Sequence, residues 1–172
     1  MKKITFTVTN DLTYDQRMQR ICTSLTNAGF DVLLIGRKLQ HSKPIKNEVY
    51  KQRRITCLFT KGKLFYLEFN IKLLLLLIWK SIDCYCAIDL DTILPNLFAS
   101  IINKRPRVYD AHELFTEQKE IVTRPSIHKL WLKVEKFAVP KLPYGYTVNE
   151  FIADEFKRQY KVNYKVVRNL PV

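Results

Sequence analysis

The sequence predicts an α/β domain with a doubly wound, mostly parallel sheet and helices on both faces. Short apolar runs typical of strands alternate with longer segments in which apolar residues recur at helical spacing. Some of these strands are almost continuously apolar, as in sheets that are covered on both faces. Helices of this length between strands imply right-handed crossovers, which produce a parallel sheet.

In the first half of the chain, residues 4–9 alternate apolar and polar side chains as a strand does, and residues 15–28 follow as a helix. That helix carries Met18, Ile21, Cys22 and Leu25 on one face, and Gly29 is the usual residue with which to end it. Residues 31–35 form a near-continuous apolar strand, and residues 55–59 form another. This order is the start of a βαβ arrangement.

Residues 64–81 predict a long and unusually apolar helix. Its most apolar run, residues 73–79, lies between Lys72 and Lys80 and covers barely two turns, whereas a membrane span needs about 20 apolar residues. We expect a helix buried between the sheet and its neighbours, and the alternative is a helix that touches lipid.

In the second half, the pattern predicts strands over residues 84–88, 108–110, 146–148 and 164–167. A helix over residues 92–102 has Asp91 as a candidate N-cap. A helix over residues 126–139 ends before Pro140 and is expected to bury one apolar face, formed by Ile127, Leu130, Trp131, Val134, Phe137 and Ala138. Asn149 is expected to cap a last helix that reaches residue 160.

Length and composition indicate one domain, residues 1–172, because 47% of the residues are hydrophobic, 26% are charged and no stretch resembles a linker or a repeat. The four cysteines lack metal-ligand spacing, so we expect buried, reduced thiols and no metal site. The first strand follows Met1 too closely for a signal peptide, which predicts a cytoplasmic protein.

The positive charge is concentrated, since residues 37–80 hold eleven Lys or Arg against Glu48 and Glu68 in a chain of formal net charge +13. A basic surface of this kind attracts anionic lipid headgroups or polyanions such as RNA. It also serves as an ordinary solvated surface that keeps a protein soluble. We expect peripheral contact of residues 37–80 with an anionic membrane, on its inner face, and do not expect nucleic acid to bind.

Asp110, His112 and Glu113 directly follow a short apolar run, and the carboxyl ends of parallel strands are where α/β sheets bind ligands. His112 is the candidate catalytic residue because histidine donates or accepts a proton near neutral pH, with Asp110 or Glu113 orienting its ring. The alternative is a loop histidine that caps the next helix.

Further candidate substrate-binding residues lie at other expected strand ends. Asp15 and Arg17 follow the first strand, Asp89 and Asp91 follow the fourth, and Asn149 and Glu150 follow the sixth. Helix capping explains Asp15, Asp91 and Asn149 equally well. The chain lacks a Gly-x-Gly-x-x-Gly loop and a Gly-Lys-Ser/Thr loop, which argues against a dehydrogenase and a nucleotide hydrolase.

These motifs, in this order, resemble the acceptor-side domain of family 4-like, or group 1, glycosyltransferases, which retain anomeric configuration and have the two Rossmann-like domains of the GT-B fold. The resemblance covers nearly the whole chain. It rests on Asp15-x-Arg17, Ala28 to Val32, Asp89-x-Asp91-Thr92 before Leu94-Pro95, Arg107 to Glu117, Thr147 to Glu150, and Val166 to Pro171 as the interdomain crossover. Many relatives have two glycines after the first strand, and this chain has none.

The resemblance implies transfer of a sugar from a nucleotide-sugar donor to a saccharide or lipid-linked acceptor, with cell-surface polysaccharide synthesis as the expected context. His112 would contact the transferred sugar. A C-terminal donor-binding domain, absent from this chain, would hold the nucleotide sugar, so this domain alone is expected to bind no cofactor and to be inactive. Alternatives are a basic nucleic-acid-binding module, a non-catalytic scaffold and half of a sugar-nucleotide epimerase.

Overall fold

A computed structural model, which describes residues 1–169, confirms the doubly wound sheet and makes it parallel throughout. Its strands are β1 (Lys3–Asp11), β2 (Asp31–Lys38), β3 (Lys51–Thr56), β4 (Cys84–Ile88), β5 (Arg107–Asp110), β6 (Tyr144–Thr147) and β7 (Lys165–Val166). Its helices are α1 (Gln16–Asn27), α2 (Gly62–Ile78), α3 (Ile93–Ile102), α4 (Lys119–Val122), α5 (Pro125–Ala138) and α6 (Glu150–Tyr160). Leu170 and Pro171, in the expected crossover, lie outside the described residues.

The strand order β3-β2-β1-β4-β5-β6-β7 reverses direction between β1 and β4. Register pairs Ile4 with Val32 on one side of β1 and with Cys84 on the other. The chain therefore winds outward from β1 in one direction and then outward from β4 in the other. A crevice forms at such a switch point, outside the carboxyl ends of the strands.

Alternate residues of each strand enter different cores, as the twofold period of a strand requires. Phe6 and Leu34 pack with Met18 and Cys22 of α1 on one face of the sheet. The strand residues that lie between these positions point to the other face of the sheet, where they pack against α2, α3, α5 and α6. Both faces of the central strands are thus covered, which explains their continuous apolar sequences.

The strand boundaries differ by up to four residues from the sequence-based prediction, and β3 differs most. β3 begins at Lys51 and ends at Thr56, because its pairing with β2 runs from Leu33 to Lys38. The chain then leaves the sheet, and the expected strand residues Leu58 and Phe59 donate their backbone N–H groups to the Glu68 carboxylate instead. β6 begins at residue 144, two positions early.

The caps were mostly predicted correctly. Asp15 accepts a hydrogen bond from the Met18 N–H at the start of α1, and Asn149 accepts one from the Ile152 N–H at the start of α6. The prediction that Asp91 caps α3 is wrong, because a 3₁₀ turn over Leu90–Thr92 precedes that helix and turns Asp91 into the interior. Within residues 1–169, no helix is long and apolar enough to cross a membrane.

The expected apolar face of α5 is only partly buried. Leu130 and Phe137 leave 47% and 45% of their surface exposed, whereas Glu135 is buried and accepts hydrogen bonds from Thr116 Oγ1 and Tyr160 OH at 3.0 and 2.8 Å. These two polar partners satisfy the buried carboxylate, and one of them, Tyr160, belongs to α6.

Candidate functional site

Arg17 and Asp110 bind each other beneath the crevice. The Arg17 Nη1 and Nη2 atoms donate to the two carboxylate oxygens of Asp110 at 2.6 and 2.7 Å, and the Asp110 side chain is fully buried. Burial alone would lower the pKa of Arg17, but the hydrogen bonds and charge of Asp110 raise it. This forked pair joins α1 to β5 and uses both of these predicted site residues in a contact within the domain.

His112 follows β5 and lies against Asp89, which follows β4. The distance from His112 Nδ1 to Asp89 Oδ1 is 3.2 Å, and His112 Nε2 lies 3.9 Å from Glu113 Oε1. Of the two acids expected to orient this ring, Asp110 is held by Arg17 and Glu113 is the more distant contact. The acid nearest to the ring is therefore Asp89, which was not expected in this role. Neither His112 Nδ1 nor Asp89 Oδ1 has a hydrogen bond of regular geometry within the described residues, although both atoms are buried.

Asp89 has a strained backbone. Its φ of 59° and ψ of 172° fall in a region that glycine adopts and other residues rarely do. Its N–H donates to the Asp110 carbonyl at 3.1 Å, which ties the turn to the end of β5. The strained turn holds the Asp89 carboxyl beside His112, an arrangement that nothing in the local sequence predicts.

Burial shifts the acid–base properties of this cluster toward neutral forms. Burial, followed by the charges of Asp91 and Glu113, raises the pKa of Asp89 well above its ordinary value. Burial and the nearby Arg17 guanidinium lower the pKa of His112. The imidazole is therefore held neutral near pH 7, where it can accept one hydrogen bond and donate another to a ligand.

Asp91 is the buried acid of the crevice. It accepts a hydrogen bond from Thr9 Oγ1 of β1, and its carbonyl accepts one from Asn70 Nδ2 of α2 at 3.0 Å. Burial raises the pKa of Asp91 to about 7, against the lowering effect of the Thr9 hydroxyl. A carboxyl group with that pKa can give or take a proton at neutral pH.

A cavity of about 670 Å³ opens above these acids. Asp89, Asp91, His112 and Glu113 lie along its polar side. Its opposite wall is apolar and comes from α2 and α5, with the residues Tyr66, Leu67, Ile127, Leu130, Trp131 and Val134. A cavity of this size with a few convergent polar groups is typical of a small-molecule site. The acids were predictable from the sequence, and the apolar wall was not predicted, although the apolar spacing on α2 and α5 was the signal for it.

A second cavity, of about 540 Å³, lies between β1 and the start of α1. Asp15 and Arg17 border it, together with Asn10, Tyr14 and Asn169. His112 lines both cavities, as do Asn10 and Ile88, so these three residues lie where the two cavities meet.

The remaining predicted residues lie elsewhere. Asn149 and Glu150 line neither of the two cavities; Asn149 caps α6 and Glu150 accepts a hydrogen bond from Arg168 at 3.1 Å. A buried pair that the sequence analysis missed joins Arg54 Nη2 of β3 to Asp11 Oδ1 at 2.9 Å. Asp11 also accepts hydrogen bonds from the N–H and hydroxyl of Thr13, and these contacts shape the loop after β1 without glycine.

Asp89, His112 and Glu113 could offer three ligand atoms, all within 4.8 Å of one another. Carboxylate and imidazole groups are ordinary ligands of zinc and related cations. Arg17 lies close enough to influence His112, however, and its positive charge opposes a cation at this place. All four cysteines are free and none belongs to this group.

No protein-family model and no curated protein sequence matches this chain. Solved structures do. Sucrose-phosphate synthase from Thermosynechococcus elongatus is 15% identical with a TM-score of 0.67, and the match covers 99% of this chain and 48% of that protein. S. aureus MnaA, in a structure with UDP, is 15% identical with a TM-score of 0.61, and coverage is 98% and 43%.

UDP-GlcNAc 2-epimerase from Methanocaldococcus jannaschii is 13% identical with a TM-score of 0.60, and the match covers 98% of this chain and 45% of that protein. The chain thus spans less than half the length of each of the three. Its fold is that of one Rossmann-like half of a GT-B protein, as the sequence motifs predicted.

Proposed function

We propose that this domain is the acceptor-binding half of a retaining glycosyltransferase that uses a nucleotide-sugar donor. The observation that carries the proposal is the cavity at the switch point, where His112, Asp89 and the buried Asp91 face an apolar wall. The polar side suits the hydroxyl groups of a sugar, and the apolar wall suits a sugar ring face or a lipid. The acceptor would be a saccharide or a lipid-linked sugar, in cell-surface polysaccharide synthesis.

His112 acts in this proposal as a neutral hydrogen-bonding group. Its lowered pKa keeps the imidazole uncharged, and its place between the two cavities lets it contact sugar on either side. The acceptor hydroxyl would lie near the anomeric carbon, and the donor diphosphate would leave from the same face of the sugar. His112 would then position the reacting sugar, with Asp89 fixing the ring, rather than attack it as a nucleophile.

The donor nucleotide would be held by a C-terminal domain, which the partial coverage of the structural neighbours supports. Residues 1–172 alone are expected to give no turnover of nucleotide sugars. Sugar transfer by this chain in isolation would overturn the division of roles between the two halves.

The test is the His112→Ala variant of the natural protein that carries this domain. We expect turnover of a nucleotide sugar to fall by about 100-fold, the size of effect typical of a lost positioning contact, with little change in melting temperature. The matched control is His41→Ala, because His41 is exposed and lines neither cavity. Equal activity of the His112 and His41 variants would remove His112 from the site.

A sugar-nucleotide epimerase is the second candidate, favoured by Asp91, whose pKa of about 7 suits proton transfer at a carbon. Two of the structural neighbours, the UDP-GlcNAc 2-epimerase and the UDP-bound protein, add to it. Incubating the natural protein with UDP-N-acetylhexosamines in deuterium oxide separates the candidates. Deuterium incorporated into the sugar without any acceptor would favour the epimerase, and transfer that requires an acceptor would favour the transferase.

A further inference from the structure

Helix α2 exposes an apolar stripe along its whole length. The stripe consists of Leu64, Leu67, Ile71, Leu75 and Trp79, which are exposed by at least 50% and in the case of Trp79 by 85%. Spacings of three and four residues align these side chains on one side of the helix. A surface helix of a globular protein normally carries polar residues there, so the stripe is an unusual surface.

The stripe is not part of the core. The opposite side of α2 carries Phe65, Phe69, Leu73 and Leu77, each exposed by 3% or less, and these residues supply its packing against the sheet. The expectation that α2 is buried between the sheet and its neighbours is therefore wrong for one side. Folding explains one apolar side of this helix and leaves the other to be explained.

Neighbouring helices extend the apolar stripe into a face. On α3, which packs beside α2, Phe98, Ile101 and Ile102 are exposed by 40% to 55%. On α5, Phe137 is exposed by 45%, and its ring centroid lies 6.4 Å from that of Phe98. We call these residues of α2, α3 and α5 the outer apolar face.

The exposed charges on the three helices of the outer apolar face are almost all positive. The three helices are described in full and contain two acids. Glu135 is buried, and Glu68 is bound by Lys72 Nζ at 2.6 Å and by two backbone N–H groups. The same helices expose the lysines Lys63, Lys72, Lys129, Lys133 and Lys136. A partner for this face should therefore be apolar and rimmed by negative charge.

The predicted basic region of residues 37–80 is not one surface. Arg54 is buried in its pair with Asp11, and the Arg37 guanidinium lies 4.0 Å above the Phe65 ring. Lys51 pairs with Asp31 on β2. Of the positive charge that accompanies the apolar stripe, Lys63 and Lys72 of α2 belong to residues 37–80, whereas the lysines of α5 lie beyond residue 80.

A second domain that faces the crevice would not cover the whole apolar stripe, because α2 runs away from the crevice. Gly62, Lys63 and Leu67, near the start of α2, line the 670 Å³ cavity. A helix of this length carries Leu75 and Trp79 to the other end of the sheet, where β4 begins after a short turn. A second copy of the chain would bring an identical positive rim against this one, in a chain of net charge +13.

We propose that the outer apolar face docks on a bilayer of anionic phospholipid, with α2 lying in the plane of the interface. The stripe would enter the boundary between the headgroups and the acyl chains, with Trp79 at the membrane–water interface. The exposed lysines would contact lipid phosphates. Docking would place the apolar side of the cavity, which includes Leu67, beside the membrane. The proposal rests on this surface alone and stands independently of the reaction that the crevice performs.

The two tryptophans of the chain, Trp79 and Trp131, make a direct test possible. The Trp131→Phe variant leaves Trp79 as the reporter. With vesicles of phosphatidylcholine and phosphatidylglycerol, we expect a blue shift of its fluorescence and quenching by lipids brominated on their acyl chains. Vesicles of phosphatidylcholine alone should produce a much weaker change. An unchanged spectrum with the anionic vesicles would overturn the proposal.

Matched substitutions identify the surface. Ile71→Glu with Leu75→Glu should weaken vesicle binding in sedimentation by at least about tenfold, because two apolar contacts become repelled charges. Ile45→Glu is the control, since Ile45 is exposed to a similar degree outside the three helices. Circular dichroism melting confirms folding of each variant. Equal binding by the double variant and the control would overturn the proposal.

Two other partners give distinct results. Concentration-dependent dimers in sedimentation velocity that Ile71→Glu abolishes, without vesicle binding, would assign the face to a second copy. RNA binding with steep salt dependence that Ile71→Glu leaves intact, again without vesicle binding, would assign the positive charge to nucleic acid. Each result overturns membrane docking, and neither bears on sugar transfer, because the vesicle experiment contains no sugar nucleotide.

Discussion

The Arg17→Met substitution tests the role of the pair beneath the crevice. Methionine keeps much of the length of arginine but removes both hydrogen bonds to Asp110, whose side chain is fully buried. Truncating one partner of a buried ion pair costs about 3–5 kcal/mol, because the other charge stays in a medium that solvates it poorly. We expect a loss of this size in the free energy of unfolding at pH 7.

The magnitude follows from what the abandoned carboxylate can do. Asp110 leaves 0% of its side chain exposed, so a carboxylate that loses both hydrogen bonds to Arg17 stays out of reach of water. The cost of Arg17→Met should therefore approach about 4 kcal/mol. Asp110→Asn should cost less, because Arg17 is 14% exposed and can turn toward water.

Urea unfolding followed by circular dichroism at pH 7 provides the measurement. Combining Arg17→Met with Asp110→Asn should cost less than the sum of the two single losses, as contacting residues do in a double-mutant cycle. Lys51→Met is the control, since Lys51 pairs with Asp31 but leaves 70% of its side chain exposed, and such pairs contribute less than about 1 kcal/mol. A loss of that small size for Arg17→Met would refute the buried-pair explanation.

Three further substitutions can be measured by thermal or urea unfolding. In the folded domain Asp91 has a pKa of about 7, raised from 3.8, so its protonated carboxyl contributes fully to the free energy of unfolding below pH 4 and this contribution is lost as pH rises through 7. Asp91→Asn should therefore stabilise the domain by up to about 4 kcal/mol at pH 8 and change its stability little at pH 4. Asp89→Gly relieves a φ of 59° and should raise stability by about 1 kcal/mol or more while reducing activity of the natural protein; a lower melting temperature would contradict the strain. Gly145→Ala would place a Cβ 2.7 Å from the Tyr109 carbonyl and should cost about 1–3 kcal/mol, and an unchanged melting temperature would mean that β6 shifts freely.

The fold was largely predictable because its signals are local. The stripe of Met18 and Cys22 identifies α1, and Asp15 and Asn149 cap the helices that follow them. The boundaries of β3 were not predictable, since Leu58 and Phe59 look like strand residues in sequence. Their N–H groups leave the sheet because a distant carboxylate, that of Glu68, binds them.

The site was predictable only in part. Topology brings Asp89, Asp91 and His112 together as expected, because the carboxyl ends of parallel strands share one edge of the sheet. Which acid would orient His112 could not be read from the sequence. Asp110 is two residues from His112, but Arg17 of α1 binds it. Asp89 contacts the His112 ring because of a backbone turn that no local sequence pattern predicts.

The candidate residues separate according to whether the fold satisfies them. Asn149 has a backbone donor, and Arg17 and Asp110 have each other, so these side chains need no ligand to explain their place. Asp89 and His112 are different, because the buried atoms that face each other lack regular hydrogen bonds and one of the two residues holds a strained backbone.

A domain selected for stability alone would relieve that strain with glycine and replace the buried acid. A disagreement of this kind between local sequence and fold is expected where function opposes stability. The same reasoning makes the joint outcome for Asp89→Gly informative. A variant that gains stability and loses activity identifies Asp89 as a residue retained for what it does to His112, whereas a gain in stability at unchanged activity would leave the strain without a function.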